Sequence, residues 1–117
     1  MQFTVEFYES ATGRTPVREF LDDLRRSDPG DFAAVLAGLE RLQQRQYHRE
    51  PLCKAVGDGL FELRHVGKLN SRVLWFFVKG RRIVAVHGVR NKGWSIPVRD
   101  LATARERMRD WQYRNEV

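Results

Sequence analysis

The sequence predicts an α+β domain in which a mainly antiparallel sheet packs against an N-terminal helical pair and a mobile basic helix closes the chain, in the order β-α-α-β-β-β-α. Three observations predict it. Residues 2–8 alternate apolar and polar side chains. Two successive stretches each open on a proline and then repeat apolar residues at helical spacing. Residues 60–89 hold three β-rich runs separated by short turns.

In residues 2–8, Phe3, Val5 and Phe7 fall on one side and Thr4, Glu6 and Tyr8 on the other, a period of two rich in β-branched and aromatic residues. Residues 10–14 form a turn around Gly13. Thr15-Pro16 supplies a helix cap and a first-turn proline, after which Val17, Phe20, Leu21 and Leu24 make one stripe ending near Arg26. Asp28-Pro29 repeats the device, with Asp31 three positions after the cap. Phe32, Val35, Leu36, Leu39 and Leu42 continue to about Arg45. The short SDPG turn between the stripes makes the two helices antiparallel neighbours. Residues 46–57 show no period and are broken by Pro51, so they read as a connector. LFELRHV (60–66), RVLWFFVK (72–79) and RIVAVHGV (82–89) read as strands, with turns at 67–70 and 80–81, the second a tight hairpin. VLWFFV is apolar on both faces, as a central, covered strand must be. After a loop over 90–96, Pro97 opens a helix with the stripe Val98, Leu101, Met108 and Trp111. PVREFL and PVRDLA begin two different helices and mark shared helix-start chemistry, not a repeat.

A chain of 117 residues makes one domain over 1–117, with no room for a second. Its 42% hydrophobic and 31% charged residues exclude compositional disorder. No apolar run approaches the ~20 residues of a membrane span, and the start shows no secretory leader, so a cytoplasmic protein is expected. The single Cys53 rules out an internal disulfide, and no Cys/His cluster suits structural zinc. The net charge is +6, but residues 79–114 carry +7 and the remainder −1. Arginines outnumber lysines 17 to 4. Such asymmetry marks a face for a polyanion such as nucleic acid, and the planar guanidinium fork suits phosphate. A solvated helix face in an arginine-rich protein is the other reading.

The chain has no phosphate loop, no G-x-S-x-G elbow and no H-E-x-x-H. Cys53 beside Lys54 reads as a packed thiol, and His48 as a surface histidine of the connector. In the 60–66 strand, alternation puts Glu62 and Arg64 on the face of Leu60 and Val66, while Arg72 starts the next strand. Two guanidiniums then gather around one carboxylate. This is either a structural ion pair or a phosphate cradle in which Glu62 orients the arginines. The segment HGVRNKGWSIP adds His87, Arg90, Lys92 and Trp94, a set suited to single-stranded RNA, with a base on the indole and cations on the backbone. Trp94 reads equally as a core plug. RNA cleavage by its own 2′-hydroxyl needs that hydroxyl deprotonated, the pentacoordinate phosphate stabilised and the 5′-oxygen protonated. Arginine and lysine serve the second need without a metal, and His87 is a candidate for proton transfer. On strict alternation His87 shares a face with Ile83 and Ala85, so a buried, hydrogen-bonded histidine is the competing reading.

TPVREFLDDL, GLFELR, RVLWFFVKGRRIVAVHGV, a basic loop, Pro97 and DLATARERMRDW, in that order over nearly the whole chain, resemble the HigB-like, phage-associated branch of the RelE/ParE toxin superfamily. The resemblance implies a RelE-like fold and the toxin half of a type II toxin–antitoxin pair, an mRNA interferase cutting on the ribosome with no metal or other cofactor. It implies Arg64, Arg72, Arg90 and Lys92 as phosphate-binding and charge-stabilising residues and His87 as a further catalytic candidate, beside the orienting role read for Glu62 from the strand pattern. Trp94, Arg82, Arg99, Arg107 and Arg109 are the remaining candidates for RNA contact. The implied partners are mRNA, ribosomal RNA and a HigA-like helix-turn-helix antitoxin in a heterotetramer or larger complex, with no membrane. The loop departs from the family pattern: RNKGWSIP stands where relatives carry a denser Lys-Lys-Thr…Thr-Pro. A ParE-like toxin acting on DNA gyrase and a non-catalytic RNA-binding phage accessory protein are the alternatives.

Overall fold

Apolar side chains on both faces of one strand require cover on both sides, and the chain supplies it with helices. A computed structural model describes residues 2–64, 71–90 and 95–115. Its elements are β1 (Thr4–Phe7), α1 (Pro16–Ser27), α2 (Pro29–Arg41), a single 3-10 turn (Arg45–Tyr47), β2 (Cys53–Gly57), β3 (Leu60–Arg64), β4 (Ser71–Val78), β5 (Arg82–Arg90) and α3 (Val98–Asn115). The α+β class is the one expected from the sequence. The sheet has five strands in the order β1-β5-β4-β3-β2, with β1 parallel to β5 and the other pairs antiparallel. No helix among the described residues is long and apolar enough to cross a membrane. The end of the predicted 60–66 strand, the 67–70 turn and loop residues 91–94, including Lys92 and Trp94, lie outside the described residues.

Alternation along β4 divides the core. Val73 and Trp75 join Val17, Leu21, Leu24, Val35 and Leu39 of the helical pair. Leu74 and Phe76 join Val84, Val86, Ala104 and Met108 beneath α3. The last helix is therefore docked on the sheet, which corrects the expectation that it is mobile. The Asp28 side chain accepts from the Asp31 backbone N–H at 3.0 Å and caps α2. Thr15 makes no such side-chain bond at α1, where Pro16 in the first turn marks the start. The presumed connector contains a strand: β2 pairs with β3 from Cys53↔Leu63 to Gly57↔Leu60. Being short and at the sheet's edge, β2 needs no apolar alternation, so the sequence pattern misses it.

The central pairing carries one irregularity. Trp75 faces Ala85 and Leu74 faces His87, so Val86 is an extra residue on β5, a β-bulge. Beyond it the side-chain alternation inverts. His87 turns toward α3, where it meets Asp100 and Arg107, and not to the face of Ile83 and Ala85. Gly88 turns toward α1, so closely that a Cβ there would stand 2.2 to 2.6 Å from ring atoms of Phe20. Gly88→Ala should therefore destabilise the fold by about 1–3 kcal/mol in urea unfolding. Adding Phe20→Leu to that variant should recover part of the loss, because the smaller side chain vacates the contact.

Candidate functional site

Antiparallel register and a period of two bring Glu62, Arg64 and Arg72 together on the α3 face of β3 and β4. Arg64 stands directly opposite Arg72, and Glu62 lies two pairs away opposite Leu74. Arg64 Nε is 3.5 Å from Glu62 Oε1, and Arg72 Nε is 3.4 Å from Glu62 Oε2. Glu62 and Arg72 are buried, at 5% and 4% exposure, while Arg64 is partly open and also lies 3.8 Å from Glu50. Two opposed guanidiniums would repel, so the carboxylate between them holds the arrangement together.

The missed strand adds a cation to this group. Lys54 of β2 lies directly opposite Glu62 and is exposed. Between them a cleft of about 340 Å³ is bounded by Lys54, Val56, Glu62, Ser95, Ile96 and Leu101. Lys54 is the residue that reading the sequence overlooked. Had Cys53–Gly57 been paired with LFELR, its place beside Glu62 would have followed.

The other candidates are dispersed. His87 sits between β5 and α3, its Nε2 2.7 Å from Asp100 Oδ1 and its Nδ1 2.8 Å from Arg107 Nη1. A guanidinium only donates, so Nδ1 accepts and Nε2–H donates to Asp100. Both ring nitrogens are engaged in tying α3 to the bulge. Arg107 Nη1 also donates to the Val86 carbonyl, and burial pushes the pKa of this guanidinium down. Arg90 faces the opposite side of the sheet from Arg72, and its Nη1 donates to Ser27 Oγ at the end of α1. Arg82, at the far end of β5, forms a two-pronged pair with Glu6, both bonds 3.0 Å, and lies over the Trp111 ring. Arg99 and Arg109 are exposed on the outer face of α3. Lys92 and Trp94 lie outside the described residues.

Two side residues resolve differently. His48 is no surface histidine: its ring packs against Phe3, Trp75 and Phe77, and Nε2 donates to the Leu42 carbonyl. Cys53 is fully buried, and burial pushes its thiol up to about 12 against a weaker opposing contact with the Trp75 indole. Such a thiol is no nucleophile. Among the described residues no three His, Cys, Asp or Glu side chains converge as metal ligands.

The model of one protein family, described as phage derived protein Gp49-like (DUF891), matches residues 22–109. A comparison with curated proteins gives no match.

Replacing Glu62 with Gln removes the carboxylate charge beside buried Arg72 and should cost about 3 kcal/mol in urea unfolding. Arg64→Gln, removing the open partner, should cost under about 1 kcal/mol. For Cys53 the pH dependence has a defined sign. The folded chain keeps its thiol proton to about pH 12, whereas the ordinary value is 9.0. Above pH 9 the unfolded state binds fewer protons, so stability falls as pH rises through that window. Comparing urea midpoints at pH 8 and pH 10, the wild type should drop further than Cys53→Ala.

Proposed function

The chain belongs to the phage-derived Gp49-like family, a toxin-like family related to RelE and HigB, and on that premise we propose that it is the toxin of a type II toxin–antitoxin pair that cuts mRNA on the ribosome. The observation that carries this reading is the carboxylate-bridged pair Arg64 and Arg72, with Lys54 opposite that carboxylate on the neighbouring strand. Cations held rigidly by a buried acid act without reorganisation on charge that develops during a reaction.

In the proposed reaction the 2′-hydroxyl of a nucleotide gives up its proton to water, its oxygen attacks the adjacent phosphorus, and the bond to the 5′-oxygen breaks as that oxygen takes a proton in turn. The products are a cyclic phosphate and a free 5′-hydroxyl. Arg64 and Lys54 meet the non-bridging oxygens as their charge rises, while Glu62, itself paired with Arg72, keeps Arg64 in place. Lys54, an ammonium on a flexible stem, also reaches the departing oxygen. His87 takes no part in proton transfer in this scheme, since its Nδ1 lone pair is held by Arg107 and its Nε2 proton by Asp100. In this reading Arg99 and Arg109, exposed on α3, add phosphate contacts, whereas Arg90 lies on the other face of the sheet and takes no part at the cleft. The cytoplasmic partners in this reading are mRNA, ribosomal RNA and a HigA-like helix-turn-helix antitoxin.

Tightly controlled expression in bacteria, with mRNA 5′ ends mapped by primer extension, tests the reading. The wild type should arrest growth and produce new codon-phased ends. Arg64→Gln and Lys54→Gln should each reduce them by about tenfold or more, the effect of losing one transition-state contact. Arrest without new ends, accompanied by a DNA-damage response, would refute the nuclease and indicate gyrase.

A further inference from the structure

A group of exposed cations that form no ion pair among the described residues lies at the end of the sheet away from the Glu62 cluster. Two segments distant in sequence meet there. The Phe3 N–H donates to the Gln43 carbonyl at 2.7 Å and the Thr4 N–H to the Arg81 carbonyl at 2.9 Å. These bonds draw the end of α2 and the 3-10 turn toward the β4–β5 hairpin. Arg41, Arg45, Lys79 and Arg81 are all exposed, and none forms an ion pair among the described residues.

Aromatic rings are interleaved with these cations. The Arg45 guanidinium stands over Phe3 at 5.9 Å and that of Arg41 over Tyr47 at 5.7 Å. Phe3 is 5.9 Å from Phe77, a phenylalanine 40% exposed on a strand otherwise largely buried. Stacking on a ring limits each guanidinium's freedom before any ligand arrives, which lowers the entropy cost of binding. A solvated charge patch would not require a large exposed ring beside it. Single-stranded RNA uses both parts: phosphates meet the cations and an unpaired base finds a ring face.

We propose that Arg41, Arg45, Lys79, Arg81 and Phe77 form a second RNA-binding surface, which anchors a single strand at the pole opposite the cleavage site. Lys79, just past β4, lies seven positions beyond Arg72, so the two regions stand about 23 Å apart. The ligand class rests on the RNA reading given above, but the location does not. The surface lets the protein hold one RNA segment while another enters the cleft beside Glu62.

The test measures binding of a short fluorescein-labelled oligouridylate by anisotropy across a salt series. It compares wild type with Arg41→Gln/Arg45→Gln/Lys79→Gln/Arg81→Asn, with Phe77→Val and with Arg64→Gln, each checked for an unchanged melting temperature. Two double variants, Arg41→Gln/Arg45→Gln and Lys79→Gln/Arg81→Asn, serve if the fourfold one melts early. The fourfold variant should bind about tenfold or more weakly, with its logarithmic salt slope shallower by about 2. Phe77→Val should lose about fivefold or more without changing that slope. Wild-type affinity and slope in the fourfold variant, or no binding by the wild type, overturns the proposal. An effect of the cations with none of Phe77 overturns the single-strand assignment in favour of a duplex backbone. Binding of polyglutamate in place of RNA overturns it in favour of an acidic protein. If the binding pattern holds and no mRNA is cut in cells, the surface stands and the nuclease reading falls. Cutting by a wild type whose fourfold variant binds RNA unchanged gives the reverse.

Discussion

At Val86 the central strand pair takes in one extra residue, and both helical layers depend on it. Without the bulge, His87 would point into the helical-pair core, and its ring could not lie between Asp100 and Arg107. Gly88 would lose its place under Phe20, and α1 could not approach β5 so closely. The bulge also directs Arg90 away from Arg72 and toward Ser27. One inserted residue thus sets the seating of α1 and α3 and divides the cations of the strand ends between two faces of the sheet.

Charge shows the same dependence on three-dimensional neighbours. Summed along the chain, the positive excess lies in residues 79–114. Folding neutralises much of that segment: Arg82 pairs with Glu6, Arg105 with Asp58 and Arg114 with Asp110. Arg107 is turned inward onto a carbonyl and an imidazole. Meanwhile Arg41 and Arg45, from the part of the chain that sums to −1, join Lys79 and Arg81 at one pole. What a ligand meets is the set of cations without partners, and that set crosses the sequence halves.

Much of this was legible in the sequence where one element decided the outcome. Period-two alternation in LFELR put Glu62 and Arg64 on one face, proline starts located all three helices, and VLWFFV identified β4 as the central strand. What escaped depends on two elements at once. Cys53–Gly57 is a strand because β3 lies beside it, so Lys54 could not be placed next to Glu62 from its own segment. The face of His87 depends on a register slip against β4 that no local pattern announces. His48, in a polar segment, is drawn into an aromatic group by Phe3, Trp75 and Phe77, residues from two distant segments. The parallel pairing of β1 with β5 is likewise a property of the closed sheet.

That last pairing bears on how the chain is made. Thr4 lies beside Arg82, and Tyr8 hydroxyl hydrogen bonds with Asp110 at 2.6 Å, so the first strand finds its partners only after nearly the whole chain has left the ribosome. Until then α1 and α2 have an apolar face with no complete sheet to cover it, and pairings of such long sequence separation form slowly. The cluster around Glu62 joins strands from the second half of the chain, but the layers that fix those strands close last. Synthesis therefore imposes a delay between the appearance of the N-terminus and the appearance of a folded site.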